Sequence, residues 1–238
     1  GNTYDIDKLV TFRPDMIYHL GEYSRVEQSF EDIDKVWKFN KDGIFAVMEF
    51  VRKNGCKILY AGSSTKFADG GTGKSASPYA WSKATNTEFV INYGNWFNIP
   101  YAITYFYNVF GYREIQSGKY ATLIALFKDK MKNNELLTVV SPGSQKRSFT
   151  HIDDTINVCI EAWKKNKCAH YSISHKKSYS IKDLAKMFKT KITYLKPRSG
   201  ERYASALTKI SNNRKIINKY GRIDLKDYVT SFIKGEKL

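Results

Sequence analysis

Compact apolar runs alternate with helical stretches in the first half of the chain, and this alternation constrains the fold more than any other feature. Residues 16–20, 57–61 and 101–106 have the short apolar character of buried parallel strands. Residues 34–54 carry apolar side chains at helical spacing and end beside Gly55, a residue that commonly closes helices. The pattern predicts a parallel α/β sheet whose right-handed crossovers cover both faces.

Beyond the third strand the alternation is less regular. We predict helices at residues 120–132 and 153–164, with a short strand at residues 137–140. Ser180 and Asp183 resemble a capping box ahead of a further apolar helix. These segments are expected to be inserted into the sheet or appended to it.

Composition narrows the class of protein. Hydrophobic residues make up 42% of the 238 residues, which suits a soluble globular chain, and no apolar run approaches the roughly 18 residues that span a membrane. Cys56, Cys159 and Cys168 are scattered and odd in number, which predicts a reducing cytoplasmic location. The four histidines lack paired ligand spacing, so no metal site is expected.

The formal net charge of +16 raises the alternative of a basic nucleic-acid-binding protein, because basic surfaces attract phosphate backbones. The lysines are distributed along the chain, however, with no long basic tail and no recognised nucleic-acid motif. A positive field would equally attract a nucleotide diphosphate, and solvated helix faces account for much of such charge. We therefore do not expect specific nucleic-acid binding.

Tyr79 and Lys83 are four residues apart, a spacing that places both side chains on one face of a helix. An ammonium beside a phenol favours the ionised phenol, which makes Tyr79 a candidate acid/base near neutral pH. Ser63 follows the strand predicted at residues 57–61 and could hold a substrate hydroxyl between itself and Tyr79. Because the same spacing arises by chance in lysine-rich helices, the motif needs its context. The chemistry it indicates is oxidation of an alcohol or the reverse.

The surroundings of Tyr79 predict a helix. Ser77 and Pro78 form a helix-starting pair immediately before it, since proline is tolerated in a first turn. Apolar residues at helical spacing then predict a core-facing side. They are Phe89, Tyr93, Trp96 and Phe97.

Several longer motifs follow one another in order along almost the whole chain. In the first half they are His19-Leu20-Gly21-Glu22, Asn40-Lys41-Asp42-Gly43, Tyr60-Ala61-Gly62-Ser63-Ser64 and Ser77-Pro78-Tyr79-Ala80-Trp81-Ser82-Lys83. In the second half they are Asn108-Val109-Phe110-Gly111, Arg147-Ser148-Phe149-Thr150-His151-Ile152-Asp153-Asp154 and Pro197-Arg198-Ser199-Gly200-Glu201. With these motifs the chain resembles the extended short-chain dehydrogenase/reductase family, and within it the nucleotide-sugar epimerases and dehydratases.

The resemblance implies a Rossmann-like doubly wound parallel sheet with a smaller C-terminal substrate lobe. Residues 1–112 would form part of the NAD-binding domain, and residues 113–238 would form mainly the substrate lobe, with some segments returning to the sheet. The glycine-rich turn G-x-x-G-x-x-G that opens this fold is absent before Tyr79. The N-terminal βαβ part is therefore expected to be missing, so that the sequence either begins late or is a fragment.

The resemblance implies NAD as the cofactor, with Tyr79 and Lys83 contacting its nicotinamide ribose. Asn2 and Thr3 would approach the adenine. Further positions near the cofactor, or in the loops that hold it, are His19, Leu20, Gly21, Ser24, Asn40 and Tyr107. For His19 and Asn40, strand-end and helix-cap hydrogen bonding is the alternative role.

The implied substrate is a nucleotide-diphosphate sugar, in particular a UDP-sugar. Ser63 matches the catalytic Ser/Thr that steadies the reacting hydroxyl. Arg147 and Arg198 match arginines that contact the diphosphate, which guanidinium groups bind bidentately, although either could be a surface charge. The remaining substrate-binding positions are Ser64, Thr65, Asn108 and Tyr120.

The two residues after Ser63 narrow the reaction that the resemblance implies. Dehydratases of the family carry an Asp-Glu pair there, but Ser64 and Thr65 cannot act as carboxylate acid/bases. We therefore predict NAD-dependent epimerisation at C4 through a 4-keto intermediate. A dehydratase, a reductase or a 3,5-epimerase of the same family remains an alternative, as does a non-catalytic fragment. The helices at 34–54 and 79–97 resemble the pair that forms a homodimer interface.

Overall fold

The computed structural model describes residues 1–165, 168–197 and 216–236, and it describes only the backbone of residues 68–70. In chain order, the strands of these residues are β1 (Met16–His19), β2 (Lys57–Ser63), β3 (Tyr101–Phe106), β4 (Asn108–Phe110), β5 (Leu137–Val140), β6 (Lys146–His151), β7 (Ala169–Ser174), β8 (Ser178–Ser180), β9 (Ile192–Leu195) and β10 (Ile216–Tyr220).

Helices connect most of these strands. Over the same described residues they are α1 (Ile6–Leu9), α2 (Ile33–Val36), α3 (Gly43–Asn54), α4 (Pro78–Trp96), α5 (Leu123–Lys132), α6 (Ile152–Lys165), α7 (Ile181–Met187) and α8 (Leu225–Lys234). A π-helical segment, Trp37–Asp42, joins α2 to α3, so the long helix predicted at residues 34–54 is present with a wider turn inside it. It ends at Gly55, whose φ of 62° lies in the left-handed region that glycine adopts easily.

The central sheet confirms the predicted parallel α/β fold. Its five described strands are ordered β1-β2-β3-β7-β10, and every pairing is parallel. Two segments from the second half, β7 and β10, thus lie in the main sheet. The smaller sheets are β4-β6-β8 and β5-β9.

Helices cover both faces of the central sheet. On one face, α3 and α4 bury Val47, Met48 and Val90 against strand residues such as Ile58 and Ile103. On the other face, Ala162 of α6 packs near Leu59, Ala102 and Tyr171. A separate core lies among α5, α7, α8 and the smaller sheets, where Phe127, Leu137, Leu184 and Val229 are fully buried or nearly so. Within the described residues, no helix is long and apolar enough to cross a membrane.

The predicted core-facing side of α4 is partly wrong. Tyr93 is buried and Phe89 packs against the core, but Trp96 is 68% exposed and Phe97 is 48% exposed. The last turn of the helix buries the side that carries Tyr93 and Gly94, and Trp96, its last residue, lies off that side. Its other buried positions are mostly small or polar residues: Ala80, Ser82, Lys83, Ala84, Asn86, Thr87 and Gly94.

Gly94 lies where α4 packs tightly against Tyr101, the first residue of β3, and this contact provides a test of the packing. A Cβ atom there would lie 2.5 Å from Cδ1 of Tyr101 and 3.2 Å from the carbonyl oxygen of Ile99. We expect Gly94→Ala to lower the free energy of unfolding by about 1–3 kcal/mol, as overpacking does, in a denaturant titration. The exposed neighbour provides the control: Asn95→Ala should change stability by less than about 0.5 kcal/mol. Equal effects of the two variants would contradict the packing.

Candidate active site

The carboxyl ends of neighbouring parallel strands bring the candidate residues to one edge of the sheet. His19 ends β1 and Ser63 ends β2, and Ser63 pairs in register with Phe106 at the end of β3. Clefts at this edge are the usual ligand sites of open α/β sheets. Helix α4 starts beside this edge, and Ser77 caps it by accepting a hydrogen bond of 3.1 Å from the backbone N–H of Ala80.

Tyr79 and Ser63 are in direct contact. The phenol of Tyr79 donates to Ser63 Oγ at 3.3 Å, and the tyrosine is only partly buried. Ser63 Oγ also accepts hydrogen bonds from the backbone N–H of Thr65 at 3.3 Å and from its hydroxyl at 2.9 Å. These donors hold Ser63 in place and leave its own proton to be donated elsewhere. The arrangement can hold a substrate hydroxyl between a serine and a tyrosine.

Lys83 lies one helical turn after Tyr79, in a buried setting. Its ammonium donates to the carboxylate of Glu22 and to the carbonyl oxygen of Ala61 in β2. The side chains of Lys83 and Glu22 are only 7% and 4% exposed. The ammonium also lies 4.5 Å from the centroid of the Tyr60 ring, within cation–π range.

Glu22 is the functional-site residue that we did not predict. Its carboxylate accepts hydrogen bonds from the Tyr60 hydroxyl at 2.9 Å and from Asn86 Nδ2 at 2.8 Å, and His19 Nε2 lies 3.8 Å away. Burial alone would raise the pKa of this carboxyl, but the charge of Lys83 and the contact with His19 lower it to about 2. Its position three residues beyond His19, at the end of a buried strand, is the signal that could have identified it.

Asn40 joins the loop after β1 to α4. Its side chain accepts from the backbone N–H of Tyr23 at 2.6 Å and donates to the Tyr23 carbonyl oxygen at 3.2 Å and to Ser82 Oγ at 2.9 Å. The backbone carbonyl oxygen of Asn40 accepts from Asn86 Nδ2 at 2.8 Å. Asn40 is completely buried. It therefore holds a loop that flanks the site, which is one of the two roles that the resemblance left open for it.

The other positions assigned to the cofactor are dispersed around this edge. A Cβ atom on Gly21 would lie 3.1 Å from Cγ2 of Thr3, so these two positions are neighbours. The described residues Asn2, Leu20 and Ser24 are exposed. Tyr107, by contrast, is 8% exposed and forms a 3.0 Å hydrogen bond with Ser172.

The positions assigned to the substrate lie on several elements. Asn108 Nδ2 donates to the carbonyl oxygen of Ser148 at 2.9 Å, and Arg147 donates to the carbonyl oxygen of Lys146 at 3.0 Å. Ser64 and Thr65 are buried, at 2% and 7% exposure, and Tyr120 is 38% exposed. Tyr120 also accepts a hydrogen bond through its carbonyl oxygen from Arg25, whose guanidinium stands over its ring. Arg198 lies outside the described residues.

A comparison with protein-family models identifies the family of this chain. The model described as the NAD dependent epimerase/dehydratase family matches residues 2–174 of its 238 residues. The chain belongs to this family. Membership in it confirms the resemblance drawn from the motifs and assigns the chain to a class of NAD-dependent enzymes.

Curated members of the epimerase/dehydratase family include proteins of several activities. A Methanocaldococcus jannaschii protein named "Putative UDP-glucose 4-epimerase" is 28% identical over 218 residues, which cover 84% of this chain and 70% of that protein. A UDP-N-acetyl-alpha-D-glucosaminuronate decarboxylase of Bacillus cytotoxicus is 24% identical over 62% of this chain and 50% of its own length. The chain thus spans about half the length of this second relative.

Solved structures share the fold of this family member. Pal from Bacillus thuringiensis gives a TM-score of 0.86 at 21% identity, with 98% of this chain and 80% of that chain covered. The UDP-glucose 4-epimerase of Thermus thermophilus, solved with NAD, gives a TM-score of 0.83 at 15% identity, covering 98% of this chain and 82% of that one. At these identities the likeness shows the Rossmann-like fold alone.

The residues at this edge fit the nicotinamide ribose of the family's cofactor. The Tyr79 hydroxyl and the Lys83 ammonium are a donor pair of the kind that ribose hydroxyls accept hydrogen bonds from. In addition, Nε2 of His19 is buried and has no hydrogen-bond partner in the described part of the chain. Such a nitrogen costs free energy that a bound polar group would recover.

The Asn40 bridge predicts a large loss of stability on truncation. Asn40→Ala removes three side-chain hydrogen bonds, two to the backbone of Tyr23 and one to Ser82, and leaves the Tyr23 N–H buried without its acceptor, which should cost about 2–3 kcal/mol of unfolding free energy. Chemical denaturation measures this change. Asn92→Ala, at an exposed position of α4, is the control and should change stability little. A similarly small effect at Asn40 would show that the bridge does not hold the loop.

Proposed function

We propose that the protein epimerises a nucleotide sugar, most directly a UDP-sugar, at C4 through a transient 4-keto intermediate with NAD as cofactor. One observation carries the proposal: the Tyr79 phenol is hydrogen-bonded to Ser63, while Ser64 and Thr65 follow Ser63 without a carboxylate. A tyrosine and a serine are sufficient to take a proton from a sugar hydroxyl and return it. A reversible oxidation at one carbon needs no further acid/base.

Each residue has a distinct part in this proposal. Ser63 donates its free proton to the reacting hydroxyl oxygen and orients it toward Tyr79. Tyr79 accepts the hydroxyl proton as the alcohol becomes a ketone and gives it back when the alcohol re-forms. Lys83 holds the ribose and favours the ionised phenol. Bound NAD would supply the reversible hydride acceptor that this oxidation and reduction require.

The buried charges near Tyr79 support epimerisation over dehydration. A dehydratase needs a protonated group to release a hydroxide as water. Glu22 is a buried carboxyl close to the site, but Lys83 and His19 lower its pKa to about 2 despite its burial. It is therefore ionised at neutral pH and engaged by its donors, and it cannot serve as that acid.

We propose that Arg147 contacts the diphosphate of the substrate, on the basis of its chemistry and of the family resemblance. Arg147 is partly exposed on β6, the strand that pairs with β4 beside Asn108. A guanidinium on this strand suits a diphosphate. The names of relatives, including UDP-glucose 4-epimerase of Mycolicibacterium smegmatis at 23% identity, support a UDP-sugar substrate.

Substitution of Tyr79 tests the proposal. With added NAD and pairs of C4-epimeric UDP-sugars, Tyr79→Phe should reduce kcat/KM by at least about 100-fold, because it removes the proton-transferring hydroxyl and little else. Product analysis by chromatography and mass spectrometry measures the activity. The control is Tyr112→Phe, which removes an exposed hydroxyl bonded to Asp153.

Tyr112→Phe should retain wild-type kcat/KM. Wild-type activity in Tyr79→Phe would contradict the catalytic assignment. A product lighter by one water would instead identify a dehydratase, and a net consumption of NADH, in a parallel assay supplied with NADH in place of NAD, would identify a reductase.

We also propose a homodimer formed through α3, α4 and the segment before them. Aromatic residues that a monomer would leave in water cluster there: Trp37 and Trp81 stack at 6.1 Å, and they are 54% and 42% exposed. They line an apolar groove of about 350 Å³ together with Phe30 and Ile33. A second copy presenting the same helices would cover this face.

A charge placed in the groove tests the dimer. Trp37→Glu should convert the dimer to a monomer in light scattering at micromolar concentration, since it replaces an aromatic contact with a carboxylate that the second copy would have to desolvate. Phe12→Glu is the control, because Phe12 is 68% exposed and does not line that groove. A wild-type protein that is monomeric at this concentration would contradict the proposal.

A further inference from the structure

We propose that Glu22 is a positioning residue that holds the Lys83 ammonium and sets how strongly its charge acts on Tyr79. The inference deepens the proposed function and depends on it for the role of Tyr79 in turnover. It concerns a residue that lies outside the Ser63, Tyr79 and Lys83 group. Glu22 itself does not touch the reacting atoms.

The contacts of Lys83 are the first support. Its ammonium has two acceptors, the Glu22 carboxylate and the Ala61 carbonyl oxygen, and both are in the interior. A lysine side chain has a flexible four-carbon stem that would otherwise sample many positions. The two acceptors fix it beside β2, whose last residue is Ser63.

The contacts of Glu22 are the second support. Its carboxylate accepts from Tyr60, Asn86 and Lys83, which come from β2 and α4, while Glu22 follows β1. A buried carboxylate is stable only when donors surround it in this way. Because each donor is itself buried, the carboxylate has little freedom to move away from Lys83.

The charged and titratable groups around this pair come from every neighbouring element. His19 of β1 lies 3.8 Å from Glu22, and the Tyr60 hydroxyl of β2 donates to it. Lys41 of the π-helical segment donates to Asn86 Oδ1 at 2.9 Å, and burial lowers the pKa of Lys41 while Glu22 raises it. Tyr79 of α4 is bonded to Ser63.

The charges of Lys83 and Glu22 together determine the electric field at Tyr79. While it remains protonated, a lysine without a partner would act on the phenol of Tyr79 with a full positive charge, which stabilises the phenolate. With the Glu22 carboxylate bonded to it, the pair is net neutral, and the field at Tyr79 is weaker. Glu22 thus weakens the effect of the Lys83 charge on Tyr79 but holds the lysine side chain in one position.

Glu22→Gln tests this balance because it removes the charge and nearly preserves the shape. The probe is the tyrosine ring Cζ, labelled with carbon-13 and followed by NMR, with the Tyr79 signal identified by its loss in Tyr79→Phe. We expect the titration midpoint of Tyr79 to fall by about one pH unit in Glu22→Gln relative to wild type. The measurement needs neither cofactor nor substrate.

Tyr60→Phe is the matched control. It removes another hydrogen bond to the same carboxylate, keeps the aromatic ring under Lys83 and leaves the charges unchanged. It should destabilise the protein without moving the Tyr79 midpoint. An unchanged midpoint in Glu22→Gln, or an equal shift in Tyr60→Phe, would overturn the proposal.

Glu22→Asp is the second test variant, for use if Glu22→Gln fails to fold. It keeps the negative charge but moves it away from Lys83, so the titration midpoint of Tyr79 should fall by a smaller amount. A midpoint that does not fall would overturn the proposal.

Turnover separates this inference from the proposed function. In an active enzyme, the acidic limb of the kcat/KM profile should move to lower pH in Glu22→Gln and stay in place in Tyr60→Phe. A wild-type protein that binds NAD yet converts no UDP-sugar would refute the proposed function, while the NMR titration would still decide the role of Glu22.

Discussion

The buried ion pair between Glu22 and Lys83 is the interaction on which the geometry of the site depends. It joins the loop after β1 to the second turn of α4, and hydrogen bonds from Tyr60 and Asn86 connect β2 and the next turn of the helix to the same network. Burying two charges costs several kcal/mol each, which only good geometry and extra hydrogen bonds offset. The loss of either partner would leave an uncompensated charge in the interior.

This network explains how Tyr79 and Ser63 are held in place at the edge of the sheet. Tyr79 is partly exposed, as its proposed role requires, and it lies one helical turn from a lysine whose ammonium has two buried acceptors. Ser63 is fixed by two donors from Thr65 and by the register of β2 against β3. The proposed chemistry would therefore depend on side chains whose supports are buried.

Local sequence signals predicted the strands, the helix ends and the contact between Tyr79 and Ser63. The apolar runs placed the strands because parallel strands are buried on both faces, and Ser77 and Gly55 marked helix ends through capping. The contact of Tyr79 with Ser63 followed from the helix and the strand end. Glu22 was not predicted, because a carboxylate in a loop is ordinarily solvated, and only tertiary packing surrounds this one with donors.

Tertiary contacts also explain the other places where the structure differs from the prediction made from sequence. Trp96 and Phe97 satisfy the helical period of α4, but periodicity does not reveal how much of a helix's apolar side the rest of the fold covers. The π-helical turn at Trp37–Asp42 has no local signature in the apolar pattern. It lies where Asn40 reaches both Tyr23 and Ser82, so its geometry depends on partners distant in sequence.

The most direct test of the central claim is the fate of a deuterium placed at C4 of the UDP-sugar. Oxidation and reduction at that carbon within one active site predict that the epimer keeps the deuterium at C4 and gains none from solvent, as read by mass spectrometry and NMR. Exchange of the label with solvent, or inversion at another carbon, would contradict the account.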